Sequence, residues 1–267
     1  MKKLLLPLLL LYASLLHAQN SPDSVKQEAK IQNADDPSQF FTRIEVYSEL
    51  QYYDKTDVYL NQAIFRSIWK LGKRFTTRID VPLVYNSFSG TEYKQSGLGD
   101  ISFRLLGYKF REKAKSAFTA SIEISLNTAE SPLLGTGKNL LIPVVSYTQM
   151  IPKQKMLFSL VLQQANSISG DENRADISFT KVQAILLKTW TKRLWTVVAP
   201  EWFVDYVHGG LSMNFRTRMA YAPTPRINIW ISPSIGVFGD FAGRYQWGGD
   251  VGGRYFLFKG MSFSKKK

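Results

Sequence analysis

His208, Ser212 and Asn214 are the residues of this chain that come nearest to a catalytic set. A hydroxyl becomes a nucleophile when an imidazole takes its proton and a third polar group orients that base. Beyond residue 18, His208 is the sole histidine, and it stands in Val207-His208-Gly209-Gly210, a run that reads as a turn. Serine close to histidine in a polar turn does not make an activated nucleophile. His208 therefore reads as a loop residue and the chain as a non-enzyme. Metal chemistry has as little support, since the sequence contains no cysteine. Asp171 with Glu172, or Asp54 with Asp57, bring two carboxylates together, whereas calcium needs about six to eight converging oxygens. Gly248, Gly249, Gly252 and Gly253 have the look of a phosphate loop without a following helix, and read as places where strands pack closely or bend. No cofactor is expected.

What the chain does offer is charge of both signs at alternate positions of long strands. By parity, Arg43, Glu45, Glu49, Arg78, Asp80, Arg104, Glu123, Glu201, Asp205, Arg216, Arg218, Asp250 and Arg254 share one face, the inner one. A sign-selective pore would show a ring of one charge. Balanced signs predict pairing across a narrow interior, where an isolated charge is costly.

The elements that hold these residues are legible from period two. Phe118, Ala120, Ile122, Ile124 and Leu126 alternate with Thr119, Ser121, Glu123, Ser125 and Asn127, one set for lipid and one for a lumen. Similar segments fill residues 41 to 259, with lengths beyond the roughly five or six residues of a soluble sandwich strand and suited to the roughly nine to eleven of a tilted spanning strand. Ahead of them, Lys2 and Lys3 precede an apolar run from Leu4 to Leu16 and a small Ala18, the pattern of a signal peptide over 1–18. That run is short of the roughly twenty residues of a spanning helix, and no later stretch reaches that length. An exported chain without cysteine must draw stability from a closed hydrogen-bond ladder and lipid.

The expected fold is all-β: a transmembrane, antiparallel, up-and-down barrel of about twelve strands, both termini periplasmic, in the bacterial outer membrane. The strands are placed at 41–53, 57–70, 74–85, 98–110, 116–127, 138–150, 155–166, 175–190, 194–206, 210–222, 226–238 and 244–258. Short connections alternate with longer ones at 86–97, 128–137 and 167–174, so short turns belong to the periplasm and long loops to the outside. Residues 19–40 read as a flexible periplasmic lead-in, with a small lumen plug as the alternative, and 41–267 as the barrel. Pro82, Pro143, Pro200 and Pro233 predict strand ends or bulges, and a change of parity predicts a bulge near Lys181. Tyr52, Tyr53, Trp69, Tyr85, Tyr108, Trp190, Trp195, Tyr206, Tyr221 and Tyr255, near strand ends, read as interfacial girdles. The net charge of +13 would suit nucleic acid, but export and the spread of the charges exclude that partner.

Gly97-Leu98-Gly99-Asp100-Ile101-Ser102-Phe103, then Asn127-Thr128, Gly135-Thr136-Gly137 and Ile142-Pro143, resemble the shared region of a family of outer-membrane barrels named for the MetA pathway of phenol degradation. Asn127-Thr128-Ala129 stands where that family has Pro-Thr-Gly. Asp250, Gly252, Tyr255 and Leu257 resemble the final-strand insertion signal of such barrels, with a tail to Lys267 beyond it. The resemblance implies a relative of channels for hydrophobic and aromatic compounds and supplies no catalytic residues. The function expected is an outer-membrane channel or transporter for small, mainly neutral or aromatic molecules, with membrane lipid as its surroundings. A structural or accessory barrel is the alternative. A lipid-modifying enzyme comes third: twelve-stranded outer-membrane phospholipases use a Ser/His pair, but their spacing differs from that of His208 and Ser212.

Overall fold

Alternation of apolar and polar residues, continued for ten or more positions, leaves the backbone no arrangement but a sheet, and thirteen strands form here: β1 (Arg43–Tyr53), β2 (Val58–Leu71), β3 (Phe75–Phe88), β4 (Lys94–Leu98), β5 (Ser102–Glu112), β6 (Ser116–Ser125), β7 (Lys138–Ile151), β8 (Met156–Gly170), β9 (Ser178–Thr189), β10 (Leu194–Asp205), β11 (Leu211–Thr224), β12 (Ile227–Phe238) and β13 (Trp247–Phe256). The structure, a computed structural model, describes residues 35–54, 56–88, 94–113, 115–239 and 245–257. The 1–18 leader, most of the lead-in and the tail from 258 lie outside the described residues.

Neighbouring strands run antiparallel, and β1 pairs with both β2 and β13, which closes the ring. β3 pairs with β5 through Asp80 and with β4 from Leu83 onward. β4 and β5 are thus two halves of one interrupted strand, and the barrel has 12 strands around its circumference. No sheet edge is left open, which satisfies the backbone without water.

Side-chain sorting follows the pleat. Along β12, exposed Ile227, Ile229, Ile231 and Ile235 alternate with buried Asn228, Trp230, Ser232 and Ser234. Val46, Phe65, Leu83, Leu105, Ile122, Leu160, Leu186, Met219 and Val251 extend this apolar outer surface around the ring. A band of that size belongs in lipid, because soluble proteins rarely expose contiguous apolar patches beyond a few hundred Å². Aromatic rings border it at both ends: Tyr52, Tyr59 and Trp247 pack together at one, and Phe75, Tyr108, Phe110 and Phe118 at the other. Trp195 departs from the expected girdle. It is 2% exposed and turned inward.

Three local expectations are corrected. The 86–97 loop is largely a hairpin, because β3 continues to Phe88 and β4 returns against it. β9 keeps one register with both neighbours and has no bulge at Lys181; its inner face carries Gln183, Ile185 and Leu187, mixing polar and apolar residues. Pro143, Pro200 and Pro233 sit where the register does not shift, as in the pairs Pro143 with Ile122, Pro200 with Phe215 and Pro233 with Gly249, whereas the expectation of a strand end holds at Pro82. Pro143 and Pro200 lose pairing on one side only, and Pro82 lies where the partner of β3 is interrupted. The register shifts fall elsewhere, among them those in β5 between Arg104 and Leu106 and between Lys109 and Arg111.

The interruption between β4 and β5 is held by the segments that carry the family resemblance. Asp100 accepts hydrogen bonds from the Thr136 amide and hydroxyl at 2.6 and 2.8 Å and from the amides of Thr128 and Ala129 at 3.2 Å. Gly135 has to be glycine for this contact. A Cβ there would lie 2.6 Å from the Asp100 carboxylate oxygen and 2.5 Å from the Ala129 methyl.

Candidate functional site

The buried face of the barrel carries a belt of arginines and carboxylates that is assembled from in-register strands. Glu45 on β1 stands opposite Arg66 on β2 and Arg254 on β13. Arg66 stands opposite Asp80 on β3 and binds it through Nε and Nη2 at 2.7 and 3.0 Å. Arg104 on β5 stands opposite Glu123 on β6. Arg43 completes the first group, 2.6 Å from Glu45.

Two in-register pairs place like charges side by side, which a sheet ordinarily avoids. Arg78 faces Arg104, and Glu49 faces Asp250. Each clash is resolved by a third strand. Glu123 takes Arg78 and Arg104, both at 2.7 Å, while Arg216 on β11 reaches Glu49 at 2.9 Å and Asp250 at 3.4 Å. The result is one alternating chain of ion pairs: Arg104, Glu123, Arg78, Asp80, Arg66, Glu45, Arg254, Asp35, Arg218, Asp250, Arg216, Glu49. A buried pair of this kind adds little net stability, yet losing one partner costs roughly 3–5 kcal/mol because a buried charge is left uncompensated.

Two members escaped the sequence reading. Arg66 has apolar neighbours of its own parity in Ile64 and Ile68, so β2 shows no clean polar face. Asp35 precedes the barrel altogether. Its Oδ1 accepts Arg218 Nη1 at 2.8 Å and Arg254 Nη2 at 3.0 Å, and its Oδ2 accepts the Trp195 indole N–H at 2.7 Å. Burial alone would raise the Asp35 carboxyl, but Arg254 and Arg218 outweigh it and hold the group well below the usual carboxylate range. Beside it, burial pushes Asp36 up against the pull of Ser38, whose amide and hydroxyl donate to it at 2.9 and 2.7 Å. Phe40 is buried under the Lys109 ammonium, and Thr42 accepts the Lys70 amide at 3.1 Å. Residues 35–42 therefore pack on the inner wall.

The remaining charges expected on this face are engaged locally. Glu201 accepts Gln183 at 2.6 Å and lies in the field of Arg216. Asp205 ends β10 and accepts the Val207 and His208 amides and approaches His208 Nδ1 at 3.0 Å, which builds the turn. His208 is exposed with Asp205 as its partner, while Ser212 is buried without a hydrogen-bond partner among the described residues. Among the described residues no three Asp, Glu or His side chains gather as for a metal. Asp57 accepts the Tyr52 hydroxyl, and Asp171 accepts Asn173.

Beside the charged belt, part of the inner surface is neutral or apolar. Thr119 pairs with Ser146 at 2.6 Å and Thr148 with Ser159 at 3.0 Å. Leu157, Leu187, Trp195, Val197, Ala199, Ala220, Ala222 and Trp230 form a buried cluster from β8 to β12. Trp230 joins the two regions, donating to Asp250 while the Arg254 and Arg218 guanidinium groups lie 4.4 and 5.0 Å from its ring. Gly252 makes room for it, since a Cβ there would meet the Trp230 ring at 2.7 Å. The interior thus combines a sign-balanced belt with an apolar, indole-lined wall.

The architecture is one already seen in solved structures. The fold is that of the outer-membrane channel barrels. The COG4313 outer membrane channel from Pseudomonas putida F1 superposes with a TM-score of 0.67 at 13% identity, over 88% of this chain and 100% of the other. The KdgM porin follows at 0.55 and 8%, over 81% and 99%, and the NanC porin at 0.55 and 10%, over 80% and 100%. No protein-family model and no curated protein matches the chain.

Proposed function

We propose that the chain is an outer-membrane channel for small, mainly neutral or aromatic solutes, a relative of the barrels named for the MetA pathway of phenol degradation, with its termini and short turns in the periplasm. One observation carries the reading: the interior is a mixed surface, a sign-balanced belt adjoining an apolar cluster that includes two indoles. Twelve strands lie between the roughly eight that side chains fill and the sixteen or more that leave a wide aqueous channel. Such an interior favours solutes by size and polarity, with little regard to ionic sign. The fold shared with channels and porins supports the same reading.

A structural barrel is the second reading, favoured by the continuity of the ion-pair chain and by residues 35–42 packed within the wall. Planar-bilayer recording separates the two. A channel gives discrete conductance steps with a reversal potential near zero in a salt gradient, and the Arg216→Gln, Arg218→Gln variant shifts it toward cations by leaving Glu49 and Asp250 underpaired. A structural barrel gives no steps.

A further inference from the structure

We propose that the pocket formed by Arg218, Arg254 and Trp195 is a receptor for the carboxylate of an amphipathic monoanion with an aromatic body, and that Asp35 occupies it in cis. The donor set fits a carboxylate. One oxygen of Asp35 takes two guanidinium N–H groups, from β11 and β13, and the other takes an indole N–H from β10. The group that fills this set belongs to none of the strands that build it; it arrives on the residues ahead of β1.

A second observation points to a ligand. Arg254 has 2% of its side chain exposed, yet its Nη1 has no hydrogen-bond partner among the described residues, and its Nε lies 3.6 Å from Glu45, beyond hydrogen-bond distance. The pocket therefore holds donor capacity that the short Asp35 side chain leaves unused. Departure of Asp35 leaves Arg218 with Asp250 at 3.1 Å and frees Arg254 Nη2 and the Trp195 indole N–H for an incoming carboxylate. Arg254 and Arg218 disfavour a cation in this place.

The surroundings select the rest of the ligand. Trp195 and Trp230 line the pocket and continue into the apolar cluster with Leu187, Val197 and Ala220. A carboxylate attached to an aromatic ring can place its head on the arginines and its body against the indoles. A neutral ring lacks the head, and a polar dianion loses hydration on the apolar side. This inference rests on the channel reading for the ligand's route, but binding is measurable without transport.

The test uses the full chain folded in detergent, with benzoate as probe and benzyl alcohol and benzylammonium as its neutral and cationic counterparts. In calorimetric titration, Asp35→Asn should bind benzoate at least about tenfold more tightly than the unmodified chain, because the competing cis carboxylate is gone. Neither counterpart should gain, and adding Arg218→Gln should cancel the increase. The sequence has no cysteine, so Ser38→Cys gives a single thiol beside Asp35 in an otherwise native chain. Benzoate should accelerate its labelling by a soluble maleimide and benzyl alcohol should not. Equal benzoate affinity with and without Asp35, or an equal gain for benzyl alcohol, would overturn the proposal. Where Asp35→Asn loses heat-modifiable migration, the Ser38→Cys measurement decides, and absence of acceleration overturns it. Benzoate binding with no solute flux keeps the site and removes the channel reading, whereas flux without benzoate binding does the reverse.

Discussion

Arg104 and Glu123 face each other across the β5–β6 hairpin, with the guanidinium Nε and Nη2 at 2.9 and 2.7 Å from the same carboxylate oxygen. Glu123 also holds Arg78, so it neutralises two arginines that the register sets side by side. Arg104→Glu and Glu123→Arg should each lower barrel stability, by roughly 3–5 kcal/mol for the loss of a buried partner. The double reversal should recover part of this, because it sets an acid on β5 between Arg78 on β3 and the new arginine on β6. Unfolding in urea from lipid vesicles measures the cycle, and strictly additive effects would reject the pairing.

Arg216 performs the reciprocal task for Glu49 and Asp250. Arg216→Met should destabilise the barrel by about 3–5 kcal/mol through the two acids it leaves facing each other. Glu49→Gln added to that variant should recover a measurable part. Recovery by Asp205→Asn instead would contradict the assignment, since Asp205 is engaged by the Val207 and His208 amides.

The barrel has two unlike ends. Connections at 72–74, 113–115, 152–155, 190–193 and 225–226 share the end at which β1 begins and β13 finishes, while those at 126–137 and 171–177 lie at the other. Epitope insertions beside Ser131 or in the loop that follows Gly170 should be reached by antibody on intact cells, and insertions beside Lys113, Lys153 or Lys192 should not. Labelling of both sets would mean that the orientation is wrong.

Asp35 gives the contact of residues 35–42 a defined pH limit. Its folded pKa is depressed, so its stabilising contribution is present above the unfolded value of about 4 and is lost as pH falls toward the lower folded value. Asp36 has the opposite sign: its folded pKa is raised, and its contribution is lost as pH rises through that value. Tryptophan emission, which senses Trp195, should hold steady from neutral pH to about 4, then change with further acidification. Asp35→Asn should abolish that acid transition. An acid transition below about pH 4 that persists in Asp35→Asn would contradict the assignment.

Strand count, order and most boundaries were legible because period two survives wherever the outer face is lipid and the inner face polar, as on β6 and β12. The reading faltered where the interior itself is apolar. Inward-facing Trp195 looked like a girdle residue because its strand is apolar on both faces at that end, and Arg66 was hidden between Ile64 and Ile68. β9 mimicked a bulge for the same reason, its inner Ile185 and Leu187 breaking the polar parity. Asp35 could not be found by periodicity, since it lies ahead of any strand. Its signal was stoichiometric: with Asp205 committed to its turn, the seven inner arginines outnumber the six strand acids left to them. Pro143, Pro200 and Pro233 misled because one lost ladder bond can be tolerated without a change of register.

Solute flux tests the channel account most directly. In proteoliposomes the folded chain should admit a small neutral aromatic glucoside such as arbutin well above the rate of protein-free vesicles, and faster than larger ions, with little dependence on ionic sign. Swelling rates at matched osmolarity give the comparison. Rates equal to protein-free vesicles, with heat-modifiable migration showing the barrel folded, would contradict the channel and leave the structural barrel in its place.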